Sequence, residues 1–326
     1  SLFIYFASDI KMSIIFIIKK TLLEIKMPKI VYLDTLPAQN GLDILYSQNK
    51  VEIQKIKSSD SEEDCFSILK TADAYQVGAA RDEVPKFLQV DKNFLDKTPN
   101  LIVISSSGAG YDTIDVPACT DAGVMVVNQT GGNAEGVAEH AVAMILNLFK
   151  RIGESDHALR KGWNESRTDL MGRDLLNKTL GIIGLGNTGS RVAEICKLAF
   201  KCKILAYDPY IAESSFENKH AIKSELNDLL AKSDVISVHI PLNKETNNMI
   251  DKSWFKKMKK DSYFVTTARG SIHNEEDLYY SLKHGHLAGA GLDVWDYEPP
   301  PSNHKLLKLD NVIASPHTAG VTADSR

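Results

Sequence analysis

The amino-acid sequence predicts an α/β protein that contains two doubly wound parallel sheets. From residue 29 onwards, apolar runs of strand length alternate with helix-like stretches, a pattern typical of parallel sheets covered by helices on both faces. The 326 residues correspond to roughly two domains of about 150 residues each. A glycine-rich turn begins near residue 184, after a first complete series of strands and helices. We therefore predict two such domains, with a boundary near residue 128.

The first series contains four predicted strands and a helix between the second and third. The strands are Lys29–Leu33, Val51–Ile56, Leu101–Ser105 and Val124–Asn128. The helix is Glu62–Lys70. The segment Asn133–Arg151 follows, and its apolar residues recur at offsets of three and four, which predicts an amphipathic helix.

The second series repeats this alternation more strongly. Its predicted strands are Leu180–Gly184, Lys203–Asp208, Val235–His239, Tyr263–Thr266, Leu287–Asp293 and Val312–Ser315. Helices are predicted at Ser190–Phe200 and Glu275–His284. The polar stretch Gly153–Leu176 between the two series is expected to hold one further helix and a linker.

Composition excludes several classes of protein. Hydrophobic residues make up 43% and charged residues 25%, as in ordinary globular proteins. The formal net charge of −4 gives no reason to expect a nucleic-acid partner. Four cysteines without a CxxC pair predict neither a disulfide framework nor a zinc site, and they favour a reducing, cytoplasmic environment.

The first 26 residues do not fit the pattern of the remainder. Their two apolar runs, Leu2–Ala7 and Ile14–Ile18, are much shorter than the roughly 20 apolar residues that span a bilayer. A leader peptide is the alternative, but no small-residue cleavage site follows the second run. We interpret residues 1–26 as an extraneous or leader segment before a natural start at Met27, and we expect no membrane association.

A dinucleotide-binding turn is predicted at residues 184–189. Gly184, Gly186 and Gly189 form G-x-G-x-x-G directly after a predicted strand and before a predicted helix. In that context the glycines allow a tight turn, approach of the backbone to a pyrophosphate and close helix packing. Asp208 ends the next strand, where a carboxylate accepts hydrogen bonds from ribose hydroxyls. Because that carboxylate would repel a 2′-phosphate, we expect NAD rather than NADP.

Three chemically suggestive residues follow predicted strands near the end of the chain. These are Arg269, Glu298 and His317. Since ligands of open α/β sheets bind at the carboxyl ends of strands, the three side chains are expected to converge on one crevice. Taken singly, Arg269 is as readily a surface ion-pair partner, Glu298 a solvated turn residue and His317 a helix cap. The other histidines, including His140 and His239, lack such a context and are assigned no chemistry.

Seven ordered motifs resemble the D-isomer-specific 2-hydroxyacid dehydrogenase family, which includes phosphoglycerate dehydrogenases and glyoxylate/hydroxypyruvate reductases. The motifs are GAGYDTID (108–115), GVAEHAVAMIL (136–146), GIIGLGNTGSRVAE (181–194), HIPLNKETNNMI (239–250), TARGSIHNEEDL (267–278), GLDVWDYEPP (291–300) and SPHTAG (315–320). The resemblance implies a flavodoxin-like substrate domain, a Rossmann NAD-binding domain, and interconversion of a D-2-hydroxy acid with its 2-oxo acid.

The resemblance also implies roles for individual residues. Arg269 would hold the substrate carboxylate, His317 would act as acid and base, and Glu298 would be the partner of His317. Backbone groups of Ala109 and Gly110 would also contact the substrate. The residues expected to line NAD are Gly184, Gly186, Asn187, Thr188, Gly189, Asp208, Pro241, Thr246, Thr267, Ala268 and Asp293. No metal site is implied.

For the domains, the resemblance implies a substrate domain at residues 27–128 and an NAD-binding domain at residues 129–317. Residues 318–326 would begin a helix that, with residues beyond them, completes the substrate domain. The helix at 133–151 would lie between the domains and form part of a homodimer interface. Phosphoglycerate dehydrogenases commonly carry an arginine near Ser106, so its absence argues against a phosphorylated substrate.

Two alternatives come from relatives with the same fold. Corepressor-like proteins that bind NAD(H) as sensors keep the same three catalytic residues, so the motifs do not separate them from enzymes. Formate-dehydrogenase-like enzymes typically lack an acidic partner for the histidine. The presence of Glu298 disfavours that second alternative.

Overall fold

A computed structural model of the protein describes residues 27–34, 39–164 and 166–325. The interpretation of residues 1–26 therefore concerns residues outside the described ranges. The chain divides into two compact units, Ser1–Gln129 and Thr130–Arg326. Within the described ranges, no helix combines the length and the apolar character needed to cross a membrane.

The first unit is built on a parallel sheet of five strands in the order β2-β1-β3-β4-β5. The strands are β1 (Lys29–Leu33), β2 (Glu52–Ile56), β3 (Ala74–Val77), β4 (Val103–Ser106) and β5 (Met125–Val127). The described helices of this unit are α1 (Gln39–Tyr46), α2 (Glu62–Leu69), α3 (Lys92–Lys97) and α4 (Val116–Asp121). This strand order is that of flavodoxin-like sheets, as the resemblance implied.

Short polar residues begin three of these helices. The side chains of Ser61, Asp91 and Asp115 each accept a hydrogen bond from the backbone N–H three residues later, at 3.1, 2.9 and 3.0 Å. Such caps satisfy one of the N–H groups that have no partner in the first turn of a helix. Local sequence therefore sets where α2, α3 and α4 begin.

The second unit contains a parallel sheet of seven strands in the order β12-β11-β10-β9-β6-β7-β8. The strands are β6 (Thr179–Ile183), β7 (Lys203–Tyr207), β8 (Ile222–Lys223), β9 (Val235–Val238), β10 (Tyr263–Thr266), β11 (Gly289–Leu292) and β12 (Val312–Ala314). The described helices are α5 (Ala134–Lys150), α6 (Ile152–Arg160), α7 (Asn187–Phe200), α8 (Ser214–Asn218), α9 (Leu226–Lys232), α10 (Lys252–Lys257) and α11 (Glu275–Lys283). The first six strands of this unit have the Rossmann order 3-2-1-4-5-6. Both sheets confirm the predicted fold class.

Hydrophobic cores cover both faces of the second sheet. Tyr263 and Val265 of β10 pack in one core with α5, whereas Phe264 between them packs in the other core with Phe255. Successive residues of a strand point to opposite faces, so a strand buried on both faces is apolar throughout. This explains why the strands of the second series were easily predicted.

Two strands were not among those predicted. In β3 only alternate residues, Tyr75 and Val77, are fully buried, and Gln76 interrupts the apolar run. Strand β8 has two residues, both exposed, at the edge of its sheet. Neither forms a continuous apolar run like that of β1.

The expected helix at residues 318–326 is not formed over the described part of that segment. Residues 318–325 are turns and bends, and they belong to the second unit rather than the first. The N–H groups of Thr318 and Ala319 bond to the Asp293 carboxylate at 2.8 and 2.9 Å. Thr322 and Ser325 then lie close to Gly136 near the start of α5.

Candidate active site

Three glycines after β6 have three different structural roles. Gly184 has a φ of +88°, and a Cβ there would lie 2.6 Å from the His239 carbonyl oxygen. A Cβ on Gly189 would lie 2.1 Å from the Gly184 carbonyl oxygen, so only glycine lets α7 pack so close to the turn. A Cβ on Gly186 would meet no atom within 4 Å. The backbone at Gly186 is therefore open to a ligand.

Helix α7 begins at this open turn. Its N-cap is Gly186, which provides no side-chain cap. The N–H groups of the first turn, at Asn187 and Thr188, have no acceptor within a helix and carry partial positive charge. The turn can thus bind the pyrophosphate of a dinucleotide.

Asp208 lies beside the turn, directly after β7. One carboxylate oxygen accepts a hydrogen bond from the Leu185 N–H at 2.9 Å, and the other accepts one from the Tyr210 N–H at 3.0 Å. These bonds hold a negative charge where the ribose of a bound dinucleotide is expected. The Lys219 ammonium donates to the Leu185 carbonyl oxygen at 2.8 Å and braces the same turn.

Four further residues expected to line the cofactor follow β9 and β10. The Thr246 hydroxyl donates to the Pro241 carbonyl oxygen at 2.7 Å, so these two residues belong to one compact loop. Thr267 and Ala268 are buried at the end of β10. Among the described residues the buried Thr267 hydroxyl has no hydrogen-bond partner, which is expected where a ligand group completes the bonding. The open turn, Asp208 and this hydroxyl together fit a dinucleotide.

His317 and Glu298 form a direct pair. The His317 Nδ1 atom lies 2.7 Å from Glu298 Oε2, and Glu298 Oε1 accepts a hydrogen bond from the Trp295 N–H at 2.9 Å. The His317 backbone has a φ of +54°, which is uncommon for a residue other than glycine. Its N–H donates to the Asp293 carbonyl oxygen at 2.7 Å, which holds the residue in that conformation.

Electrostatics favour the charged form of this pair. The hydrogen bond to Glu298 raises the pKa of His317 above its ordinary value, although burial and the charge of Arg269 oppose this. Burial acts to raise the pKa of Glu298, but the bond from His317 and the smaller effects of Trp295 and Arg269 outweigh it and lower that pKa. The pair can therefore hold a proton on the imidazole near neutral pH.

Arg269 follows β10 and lies close enough to influence both members of the pair. Its Nη1 donates to the Ala268 carbonyl oxygen at 2.6 Å. The next residue, Gly270, has no room for a side chain, because a Cβ would lie 1.8 Å from the Trp295 carbonyl oxygen. This backbone contact brings the loop of Arg269 against the loop that leads to Glu298. The structure thus brings together the three residues that the sequence singled out.

Asp293 organises the loop around His317. The carboxylate is fully buried and accepts hydrogen bonds from the Ser315 hydroxyl at 2.6 Å, the Thr318 N–H at 2.8 Å and the Ala319 N–H at 2.9 Å. Its position after β11 agrees with a place beside the cofactor. Its hydrogen bonds also stabilise the conformation of residues 315–319.

Ala109 and Gly110 lie in the first unit, in the loop after β4. The Asn128 amide donates to the Ala109 carbonyl oxygen at 2.8 Å, and the Ser106 hydroxyl donates to the Gly110 carbonyl oxygen. Both carbonyl groups are thereby engaged within the unit. The loop is held in one conformation that can present its backbone N–H groups to an anion.

Sequence reasoning missed two contributors. Trp295 supports the pair through its backbone N–H, and its indole donates to the Ser315 carbonyl oxygen at 3.0 Å. His140, which was assigned no chemistry, lies 2.9 Å from the Ser315 hydroxyl. The one sequence signal for Trp295 was its position two residues after Asp293. No local pattern indicated the contact of His140 with Ser315.

Other candidate groups have structural environments. Burial lowers the pKa of His239 to about 4, and its ring bonds to the Ser237 hydroxyl at 2.8 Å. All four cysteines are buried and free. In the described ranges, no group of three or more His, Cys, Asp or Glu residues is arranged to hold a metal ion.

Residues 142–319 match the family model for the NAD binding domain of D-isomer specific 2-hydroxyacid dehydrogenases. The matched range contains the glycine turn, Asp208, Arg269, Glu298 and His317. It confirms the expected NAD-binding domain.

The chain is also similar to curated enzymes and to solved structures. It is 41% identical to D-3-phosphoglycerate dehydrogenase of Archaeoglobus fulgidus over 75% of this chain and 47% of that protein, so it spans about half the length of that relative. It is 36% identical to hydroxypyruvate reductase of Thermotoga maritima over 85% of this chain and 88% of that protein. The structure of D-lactate dehydrogenase from Aquifex aeolicus, complexed with NAD and lactic acid, aligns with a TM-score of 0.76 at 31% identity, over 91% of this chain and 90% of that one.

Proposed function

Because the chain belongs to the D-isomer specific 2-hydroxyacid dehydrogenase family, we propose that it interconverts a D-2-hydroxy acid and its 2-oxo acid with NAD(H). The observation that carries this proposal is the 2.7 Å bond between His317 and Glu298, with the charge of Arg269 acting on both. A carbonyl reduction needs a proton donor and a cation for the substrate carboxylate. These side chains provide both.

The proposed mechanism assigns one task to each residue. NADH, when held at the glycine turn, would supply the hydride that reduction of the 2-oxo acid needs. The planar guanidinium of Arg269 holds the substrate carboxylate through paired hydrogen bonds and so fixes its orientation. His317 donates its proton to the carbonyl oxygen from Nε2, while Nδ1 stays bonded to Glu298. In the reverse direction the same imidazole, initially neutral, accepts the hydroxyl proton.

The substrate is proposed to be a small, unphosphorylated 2-oxo acid such as glyoxylate or hydroxypyruvate. Backbone N–H groups of Ala109 and Gly110 would add to the binding of its carboxylate. Ser106 donates its hydroxyl within its own loop and offers no positive charge for a phosphate. The relatives named for phosphoglycerate, hydroxypyruvate and lactate show how widely substrates vary among similar chains.

Further parts of the proposal concern the arrangement of the protein. Residues 27–128 would serve as the substrate domain, and the NAD-binding domain would associate as a homodimer through α5 and neighbouring segments. NAD is preferred to NADP because Asp208 places a carboxylate beside the turn. Four free, buried thiols agree with a cytoplasmic location.

The direct test measures NADH oxidation with a panel of 2-oxo acids, and NADPH in parallel. We expect turnover with at least one small 2-oxo acid and a preference for NADH. Arg269→Ala and His317→Ala should each abolish turnover while NADH binding, followed by fluorescence, is retained. Arg173→Ala, which removes an exposed arginine bonded to the Asp261 carbonyl oxygen, serves as the control.

Two results would contradict the proposed mechanism. One is full activity in both the Arg269 and the His317 variants. The other is tight NADH binding without turnover of any acid in a broad panel, which would instead support the sensing role of corepressor-like relatives.

A further inference from the structure

We propose that Ser315 and His140 are positioning residues, which hold Asp293, and through it the His317 loop, by a chain of two hydrogen bonds. The Ser315 hydroxyl donates to Asp293 Oδ1 at 2.6 Å, and His140 Nε2 lies 2.9 Å from the Ser315 Oγ atom. His140 comes from α5, whereas Asp293 and Ser315 follow β11 and β12. The tests that measure activity rest on the proposed function, whereas the test by NMR does not.

The direction of the two hydrogen bonds follows from which groups can donate a proton and which can only accept one. An ionised carboxylate only accepts, so the single hydroxyl proton of Ser315 points to Asp293. The Ser315 oxygen is then the acceptor for His140, and Nε2 of that imidazole must carry a proton. The distance from His140 Nε2 to Asp293 Oδ1 is 3.8 Å, too long for a direct hydrogen bond. Ser315 is therefore the bridge between the two.

A buried carboxylate depends strongly on its donors. Asp293 is fully buried, and its three bonded donors are the Ser315 hydroxyl and two backbone N–H groups of residues 318 and 319. Loss of the hydroxyl leaves Oδ1 with one donor, the Thr318 N–H, in place of two, and the loss of a donor to a buried carboxylate is costly. The carboxylate would shift to recover a bond. The backbone bond from His317 to the Asp293 carbonyl would shift with it.

The backbone of Ser315 is held independently of its hydroxyl. The Trp295 indole donates to the Ser315 carbonyl oxygen at 3.0 Å, and the Ser315 N–H donates to the Leu292 carbonyl oxygen at 2.9 Å. Removal of the hydroxyl alone therefore leaves this backbone in place. Ser315→Ala tests the chain of hydrogen bonds rather than the fold of the loop.

The experiment compares variants that break the chain with variants that keep it. His140→Leu and Ser315→Ala remove a donor, whereas His140→Gln offers an amide donor near the Nε2 position and Ser315→Thr keeps the hydroxyl. We expect Ser315→Ala to lower kcat about tenfold, the cost of one bond to a buried charge, and His140→Leu, which loses a bond to a neutral hydroxyl, to lower it about fivefold. KM for the 2-oxo acid should stay within about twofold in both. The conserving variants should keep at least about a third of kcat. His157→Leu, on exposed α6, is the matched control.

The double variant His140→Leu/Ser315→Ala tests whether the two residues act through one chain of hydrogen bonds or independently. If His140 acts only through Ser315, its loss adds nothing once the Ser315 hydroxyl is gone, so kcat of the double variant should equal that of Ser315→Ala. If the fold losses in kcat of the two single variants multiply in the double variant, the proposal is overturned. So would a Gln variant that is as impaired as the Leu variant, because packing on α5 would then be the cause.

A readout without turnover uses nitrogen-15 NMR of the histidine rings in the protein without cofactor. We expect His140 to carry its proton on Nε2, and Ser315→Ala to move the ring signals of both His140 and His317. A proton on Nδ1 of His140, or an unmoved His317 signal, would overturn the proposal. If the wild-type protein turned over no acid, the proposed function would fail while this spectrum still tested the chain.

Discussion

The imidazole of His317 is subject to opposing electrostatic effects, and their balance sets its chemistry. The bond to Glu298 raises its pKa, while burial and the positive charge of Arg269 lower it. The raised pKa favours the protonated ring, the form that a proton donor for reduction needs. Arg269 is therefore placed to bind an anionic substrate without removing the proton that the reaction needs.

The substitution Glu298→Gln should move the pH profile of the reaction. Reduction requires protonated His317, so its rate falls as the pH rises through the raised pKa. Without the carboxylate that pKa falls, and the decline in kcat/KM for reduction should begin at a lower pH. Oxidation requires the neutral ring, so its rise with pH should shift in the same direction.

The measurement is kcat/KM against pH in both directions for the wild type and the variant. Glu276→Gln removes an exposed carboxylate that pairs with Lys305, and it should leave both profiles unchanged. Identical profiles for Glu298→Gln and the wild type would show that Glu298 does not control the proton of His317.

In the turn between β6 and α7, different glycines serve the packing of the fold and the binding of a ligand. Gly189 is required by the close contact with the Gly184 carbonyl oxygen, whereas Gly186 contacts nothing that a methyl group would disturb. The same residue type therefore serves the fold at one position and a ligand at the other. Substitutions at the two glycines should have different consequences.

Gly189→Ala should destabilise the protein, and Gly186→Ala should weaken NADH binding. Overpacking typically costs about 1–3 kcal/mol, so we expect a clear fall in Tm for Gly189→Ala in thermal unfolding followed by circular dichroism. Gly186→Ala should keep the wild-type Tm without cofactor but bind NADH at least about tenfold more weakly, since about 1.4 kcal/mol suffices for that loss. A lowered Tm for Gly186→Ala, with NADH affinity unchanged, would contradict this assignment.

Each unit has its own parallel sheet and its own hydrophobic packing, and both units also carry exposed apolar side chains. Ile152, Leu159, Met171 and Leu176, close together in the chain after α5, are each more than half exposed. Exposed apolar residues are common singly, whereas a contiguous exposed apolar patch is typical of an interface. A homodimer through α5 and its neighbouring segments, as proposed, would cover these side chains.

Light scattering of the purified protein should give twice the 36.1 kDa mass of one chain. Leu159→Glu combined with Met171→Glu should shift the mass towards one chain at micromolar concentration, because charges in an apolar interface are costly. Leu198→Glu changes an equally exposed leucine on α7 and should leave the mass unchanged. A mass of one chain for the wild type would refute the dimer.

The sequence predicted much of this structure because its signals are local. Strands β6 and β10 are continuous apolar runs, and G-x-G-x-x-G requires only six adjacent positions. The caps of α2, α3 and α4 likewise lie three residues from the groups they bond. Where such signals are weak, as in β3 and β8, prediction failed.

Sequence patterns alone specified the class of fold, the dinucleotide turn and the identity of the three candidate catalytic residues. Only the folded chain specified how these residues are arranged. The hydrogen bonds that hold the arrangement join residues far apart in the sequence: His317 and Glu298 are 19 positions apart, Ser315 and Asp293 are 22 apart, and His140 and Ser315 are 175 apart. Local patterns cannot specify such contacts, because each one depends on which separate strands and helices pack side by side. Residues 318–325 likewise lie against Asp293 and the start of α5, which are distant in the sequence.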